Sequence, residues 1–342
     1  GAQTGIAGFR FRLGIIDDPL KDIKIEAALL MQRAMGVLKE ERIKKGIIID
    51  KAYDLNETGM IGYEISGITT TLGSLEAKRT STNPNFAAVV VDMLASLKIK
   101  EGDWVAVNLS GSFPALNLAV LSALQTLRVN PIIVSSIGSS TWGANIPEMT
   151  YPDMELILYN QGIFNIKSDA VSIGGAGDVG KDMDQAVLED IVARLRKNGV
   201  SFIGKSDYEK SLKQRIDFYF NEGRNIKLFI NVGGNILSMG NNPGNTYTLH
   251  GIINSNKKIS KDADGLIAYF LNKGIPVISL LNVKKIVADY GLPFDPVPMQ
   301  KIGDGKIYCD TQYPVLHIFL ALFLVVLTLL FFRVKVRGKY DT

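Results

Sequence analysis

Histidine is nearly missing from this 342-residue chain. There are two, and only His250 lies outside the long apolar run near the C-terminus that holds His317. A zinc site built on several imidazoles is therefore excluded, and a Ser-His-Asp triad would have to use His250. Cysteine is limited to Cys309, so neither an internal disulfide framework nor a thiolate metal cluster can form. An excess of one charge is also lacking. The formal net charge is +4, but Arg333, Lys335, Arg337 and Lys339 crowd the last ten residues against Asp341 alone. The body is close to neutral, without the basic face a nucleic-acid partner needs. No metal and no cofactor are expected. What the chain has is apolar residues, 46% of the total, enough to bury a large core.

Residues 314–332 carry no formal charge, about the length that crosses a hydrocarbon core. They are read as a transmembrane helix over 313–333 that makes the lipid bilayer a partner. The positive-inside rule then puts a basic tail, 334–342, in the cytoplasm and the body outside it. The chain starts at Gly1 rather than Met, so a leader or N-terminal anchor is expected to have been removed or left out.

Apolar residues at helical spacing over 23–42 predict an amphipathic helix, and 47–49 reads as a short strand. The hydroxyl-rich stretch 69–84 reads as loop, with Asn83 and Pro84 starting a helix over 85–97. From Trp104 onward strands alternate with helices: strands at 104–109, 132–135, 170–173, 200–203, 227–232 and 277–281, and helices at 115–127, 153–161, 183–197, 208–220, 263–272 and 283–290. That alternation predicts an α/β fold, a mostly parallel sheet with helices on both faces. The expected organisation is an N-terminal region, 1–70, packed on an extracytoplasmic body, 71–312, followed by the span and the tail.

In such sheets ligands gather at the carboxyl ends of the strands. The most promising loop is Ser110-Gly-Ser-Phe-Pro, between an apolar strand and an apolar helix, with Ser112 placed to cap the helix and Pro114 in its first turn. A helix start facing an open turn favours anions. Candidate ligand-binding residues are Ser110, Gly111, Ser112 and Asn117 here, Lys78, Arg79 and Asn83 at the second helix start, and Asn145, Asn231, Gly233 and Gly234 on loops of the same edge. For catalysis, Ser112 is the candidate nucleophile, served by His250, Lys78 or Lys181. Asp153 and Glu155 form either an acid/base or hard-metal pair or a set of helix-start caps. Gly175-Ala-Gly-Asp-Val-Gly180-Lys181-Asp182 imitates a nucleotide loop, yet has Asp where a magnesium-binding hydroxyl belongs. A glycine turn between strand and helix is the better reading.

The blocks Asn83-Pro-Asn-Phe-Ala-Ala88, Ser110-Gly-Ser-Phe-Pro-Ala-Leu-Asn117, Ser140-Thr-Trp-Gly-Ala-Asn145, Asp153-Met-Glu155 and Asn231-Val-Gly-Gly234, in this order before a C-terminal apolar run, resemble the poly-γ-glutamate system protein family. The resemblance covers about 54–298. It implies a role in synthesis and export of poly-γ-glutamate at the cell membrane, beside a ligase and small membrane subunits. Two activities are compatible with it: binding or guiding the polyanionic polymer while assembling with the synthase subunits, or hydrolase or transferase chemistry that trims, releases or anchors the polymer.

Overall fold

The computed structural model describes residues 14–204, 207–312 and 315–337, without the side chains of 14–16, 222, 310–312, 315–317 and 334–337. In chain order the elements begin with β1 (Gly14–Asp17), α1 (Lys21–Lys44), β2 (Thr69–Thr71), α2 (Leu75–Ser81) and α3 (Asn85–Ser96). Then come β3 (Trp104–Leu109), α4 (Pro114–Thr126), β4 (Asn130–Ser136), β5 (Ser139–Ser140), α5 (Tyr151–Asn160), β6 (Ala170–Ser172), α6 (Gln185–Lys197) and α7 (Tyr208–Phe220). The last are β7 (Ile226–Val232), α8 (Ile236–Met239), β8 (Gly251–Ile253), α9 (Gly265–Asn272), β9 (Val277–Leu280), α10 (Val283–Tyr290), β10 (Cys309–Gln312) and α11 (Val315–Arg337). The chain divides into two units, Leu20–Ile307 and a second made of Gly1–Pro19 with Tyr308–Thr342.

The larger unit is built on a six-stranded sheet of order β6-β4-β3-β7-β9-β8. All pairings are parallel except that of β8 with β9. Val105 and Val107 on one face of β3, and Ala106 on the other, are fully buried, as a parallel strand covered on both sides requires. Ala106, Val134 and Phe229 pack with Tyr219 of α7 and with Leu266 and Phe270 of α9. Phe229 and Phe270 stack with centroids 4.4 Å apart and planes 7° apart. The Tyr219 hydroxyl, buried among these rings, donates to the Val107 carbonyl at 2.9 Å, which satisfies its polar end.

Helix α1 packs across α3 and α4. Its buried stripe, Ala27, Ala28, Met31, Ala34, Met35 and Leu38, recurs at the three-and-four spacing of a helix face, and the alanines let the backbones approach closely. Arg42 in its last turn is buried and donates to the carbonyls of Ile48, Gly59 and Ile61. It thereby ties down the irregular segment that follows. Residues 47–49, expected as a strand, have no strand pairing, because Arg42 holds the Ile48 carbonyl. Val200–Ile203 contributes only an isolated bridge, Val171 with Phe202.

The smaller unit pairs β1 antiparallel with β10, Gly14 opposite Gln312 and Asp17 opposite Cys309. Among the described residues no helix is long and apolar enough to cross a membrane. The expectation of a transmembrane helix over 313–333 is corrected accordingly, and the fold class is α/β with a mixed sheet. The side chain of His317 and residues 338–342 of the expected tail lie outside the described residues.

The aromatic stack holds the α9 face of the sheet. Replacing Phe270 with Ala is expected to cost about 3–5 kcal/mol, seen as a lower denaturant midpoint with an unchanged slope, whereas Phe270→Leu should cost less than half of that.

Candidate functional site

The strand order reverses between β3 and β7. From β3 the chain steps outward to β4 and β6, and from β7 it steps the other way to β9. Loops at such a point diverge and leave a crevice outside the carboxyl ends of the strands. The two loops that flank it are 110–113 after β3 and 233–235 after β7. They touch: a Cβ on Gly233, whose φ is +81°, would lie 2.9 Å from the Ser110 Cβ. Gly234 beside it is exposed, and a Cβ there would make no more than ordinary contact, with the Leu281 side chain at 3.7 Å.

The 110–113 turn is fixed by its own hydroxyls and by the chain after β4. Ser110 Oγ accepts from the Ser112 amide at 3.2 Å, and the Ser110 carbonyl accepts from Asn117 Nδ2 at 2.8 Å. The Gly111 carbonyl accepts from the Ala144 amide at 2.8 Å and from Ser139 Oγ at 3.0 Å. Ser112 Oγ accepts from the Ser140 amide at 3.0 Å. It does not cap α4: Phe113 is the N-cap residue and Pro114 is N1. Ser112 is half-buried while Ser110, Gly111 and Phe113 are buried, so it is the residue of this turn most open to solvent.

Lys78 reaches this turn from α2, a helix where the sequence suggested loop. Ser74 caps it by accepting from the Ala77 amide, and the cap was legible in a serine followed by Leu-Glu-Ala. The Lys78 Nζ donates to the Ser112 carbonyl and to Ser140 Oγ, the latter at 2.7 Å, and sits 3.9 Å from the centroid of the Phe113 ring. Burial brings its pKa down to about 7. The ring face favours the ammonium form, but desolvation outweighs it. Lys78 is therefore not the exposed carboxylate-binding cation expected from sequence.

Segment 60–73 forms a strap over the same place. β2 pairs with β5, and Asn145 accepts from the Tyr63 amide and donates to the Tyr63 carbonyl. A Cβ on Gly62 would meet the Gly143 carbonyl oxygen at 2.0 Å, so only glycine fits there. Trp142, at φ +64°, packs against Tyr53 with centroids 4.4 Å apart and ring planes tilted by 36°.

Most other expected ligand-binding residues are engaged within the protein. Arg79 forms a two-pronged pair with Asp295, one contact at 2.7 Å. Asn83 donates to Gln300 and accepts from the Asn85 amide. Asn145 is the strap clamp described above, and Asn231 accepts from Asn108 and donates to the Gly233 carbonyl. Asn117 lies buried in α4 with its Oδ1 without a partner. His250 faces the Thr248 carbonyl and Asp289, and Lys181 is exposed; neither is drawn to Ser112 by any contact. Asp153 is a cap, accepting from the Thr150 amide and pairing with Arg194. No group of three or more acidic, His or Cys side chains able to hold a metal occurs among the described residues.

The loop 175–182 satisfies itself. The Ala176 amide donates to the Asp182 carboxylate, and the amides of Asp178, Val179 and Gly180 donate to Gly175, Ala176 and Gly174. The carboxylate occupies the place where a phosphate would sit. Sequence gave no sign of the buried set beneath it. Arg215 of α7 donates to Asn108 at 2.8 Å and to Asp178 at 3.2 Å, and Asp178 accepts from Ser172 and Asn235. Burial raises the Asp178 pKa against the opposing pull of Arg215. Through Asn235 this network fixes the β7 loop of the crevice.

Glu155 is another buried carboxyl. It accepts from the Ser168 amide and hydroxyl and from Tyr151, and desolvation still lifts its pKa to about 7. A carboxyl raised from its unfolded value contributes stability that is complete below about pH 4.5 and lost as pH climbs through 7. Between those limits the fall should be on the order of 3 kcal/mol, and Glu155→Gln should flatten it in denaturant titrations across pH. Comparison with protein-family models, curated proteins and solved structures finds no match, so the family resemblance rests on the sequence blocks that carry it.

Proposed function

We propose that this protein is the polymer-binding component of a poly-γ-glutamate synthesis and export system, holding side-chain carboxylates of the chain in the crevice between the β3 and β7 loops and assembling with the ligase and small membrane subunits. The observation that carries the reading is the reversal of strand order at β3 and β7, with a half-buried Ser112 on one loop and an exposed Gly234 on the other. Hydroxyls, glycine amides and the first turn of α4 suit carboxylates without a strongly basic surface, in keeping with the near-neutral body. The sequence blocks that resemble the family include both loops, Ser110-Gly-Ser-Phe-Pro and Asn231-Val-Gly-Gly234. Poly-γ-glutamate spaces its carboxylates along a flexible backbone, so a shallow crevice engages one or two residues at a time and leaves the rest of the chain free to slide.

The purified protein should retard poly-γ-glutamate in affinity electrophoresis, and Gly234→Trp, which fills an exposed position, should weaken retention at least tenfold while leaving the melting temperature near its parent value. Equal retention by the Gly234 variant, or equal retention of polyaspartate, would overturn the assignment of this crevice.

A further inference from the structure

The peptide that joins Gly233 to Gly234 lies on the β7 side of the crevice and has glycine at both ends. Turning such a peptide over changes ψ of the first residue and φ of the second, which glycine tolerates at either place. One state sends the Gly234 N–H toward solvent and the other sends the Gly233 carbonyl there, so the same loop can present a donor or an acceptor. Buried side chains select between them. The Gly233 carbonyl accepts from Asn231 Nδ2 at 2.8 Å, away from solvent. The peptide is trans, so its N–H points opposite to that carbonyl. Gly234 is exposed, and among the described residues nothing accepts from its amide.

The orientation of Asn231 is imposed from deeper in the molecule. An asparagine amide can offer either its oxygen or its nitrogen to a neighbour. Asn231 Oδ1 accepts from Asn108 Nδ2 at 3.1 Å, and Asn108 Oδ1 accepts from Arg215 Nη1 at 2.8 Å. A guanidinium only donates. Arg215 therefore compels Asn108 to offer its oxygen, which leaves the Asn108 nitrogen for Asn231 Oδ1 and the Asn231 nitrogen for the Gly233 carbonyl. A second branch runs from Arg215 Nη2 to Asp178 at 3.2 Å, and Asp178 accepts from Asn235 Nδ2 at 3.3 Å. Asn235 then turns its oxygen to the Leu237 amide at 2.8 Å. Both ends of the 233–235 loop are thus set by one cation that is 1% exposed.

We infer that Arg215 is a positioning residue of the crevice, holding the 233–234 peptide with its N–H outward so that the loop selects carboxylates. The inference rests on the polymer-binding reading for its ligand and on the Arg215–Asn108–Asn231–Gly233 geometry for its mechanism. A polymer carboxylate meets a donor in this state, whereas the flipped peptide would set a carbonyl oxygen against it. Arg215 acts through the amides alone, since its own charge is sealed beneath the sheet edge.

The test is affinity electrophoresis of the full chain with poly-γ-glutamate across pH, with a melting curve at each pH. Asn231→Val removes the donor to the Gly233 carbonyl and should lower retention about tenfold at every pH, the effect of losing one hydrogen bond to a charged group. Asn231→Asp separates orientation from packing. The introduced carboxyl still accepts from Asn108; protonated, it donates to the Gly233 carbonyl, and ionised, it repels that carbonyl. Its retention relative to wild type at the same pH should approach parity in acid and fall about tenfold as the carboxyl ionises. The charged groups of the set, Arg215 of α7 and Asp178 of the 174–182 loop, are present in wild type too, so the comparison removes their titration along with the polymer's. Asn235→Ser keeps an oxygen to cap α8 but is too short for Asp178, and should lower retention about threefold. Parental retention in folded Asn231→Val, or a ratio of Asn231→Asp to wild type that does not change with pH, would overturn the inference and leave the binding reading standing. If neither Asn231 variant folds, parental retention in Asn235→Ser overturns it. Failure of the wild type to retain the polymer would overturn the binding reading itself, and the carboxylate ligand with it.

Discussion

Parallel hydrogen bonding of β3 on both of its edges is the constraint from which the rest follows. A parallel neighbour cannot be reached by a tight turn, so each must be connected through a crossover, and right-handed crossovers to opposite sides place their helices on opposite faces. The chain leaving β3 turns into α4 and the chain leaving β7 turns into α8 and α9. The two loops meet where they leave their strands, Gly233 against Ser110, and then run to helices in different layers. The crevice is thus a product of topology, and side chains only decide what it holds.

Burial decides how the charges around that edge behave. Arg79 and Asp295 share two hydrogen bonds, are partly open to solvent and serve as a clasp. Arg215 and Asp178 are fully buried and depend on Asn108, Ser172 and Asn235 to complete their hydrogen bonding, as a desolvated pair must. Among the described residues Lys78 and Glu155 hydrogen-bond only to neutral groups, and for them desolvation is the largest influence on protonation. Three solutions to one electrostatic problem lie on a single molecule, and the third leaves groups that exchange protons near neutrality.

Much of the fold was legible in the sequence where periodicity is strong. The strand at 104–109 and the helix at 208–220 coincide with β3 and α7, because apolar runs bounded by turn residues leave few other choices. The mixed pairing of β8 was not legible, since three residues of edge strand carry no pattern. Helix α2 was hidden by hydroxyl-rich composition that reads equally well as loop. At the site, the turn after β3 was found, because a glycine and serines between a strand and Pro114 are unusual. The roles of its neighbours were not: Arg79, Asn83, Asn145 and Asn231 look like ligand contacts in sequence, and each is matched instead by a partner far along the chain, which spacing does not reveal. The same long-range pairing made Lys78 look solvent-facing when it is buried.

The strap on residues 139–145 has a consequence for how the protein comes into being. Asn145 grips both backbone groups of Tyr63 across 82 positions of chain, and the fit of Gly62 against Gly143 tolerates no side chain between them. Closing so long a loop carries an entropic cost that nothing local offsets, and contacts of this range slow folding. During synthesis residues 60–73 must wait, undocked, until β4 and the turn after it have left the ribosome. The strap therefore docks only after the turn that receives it has been laid down.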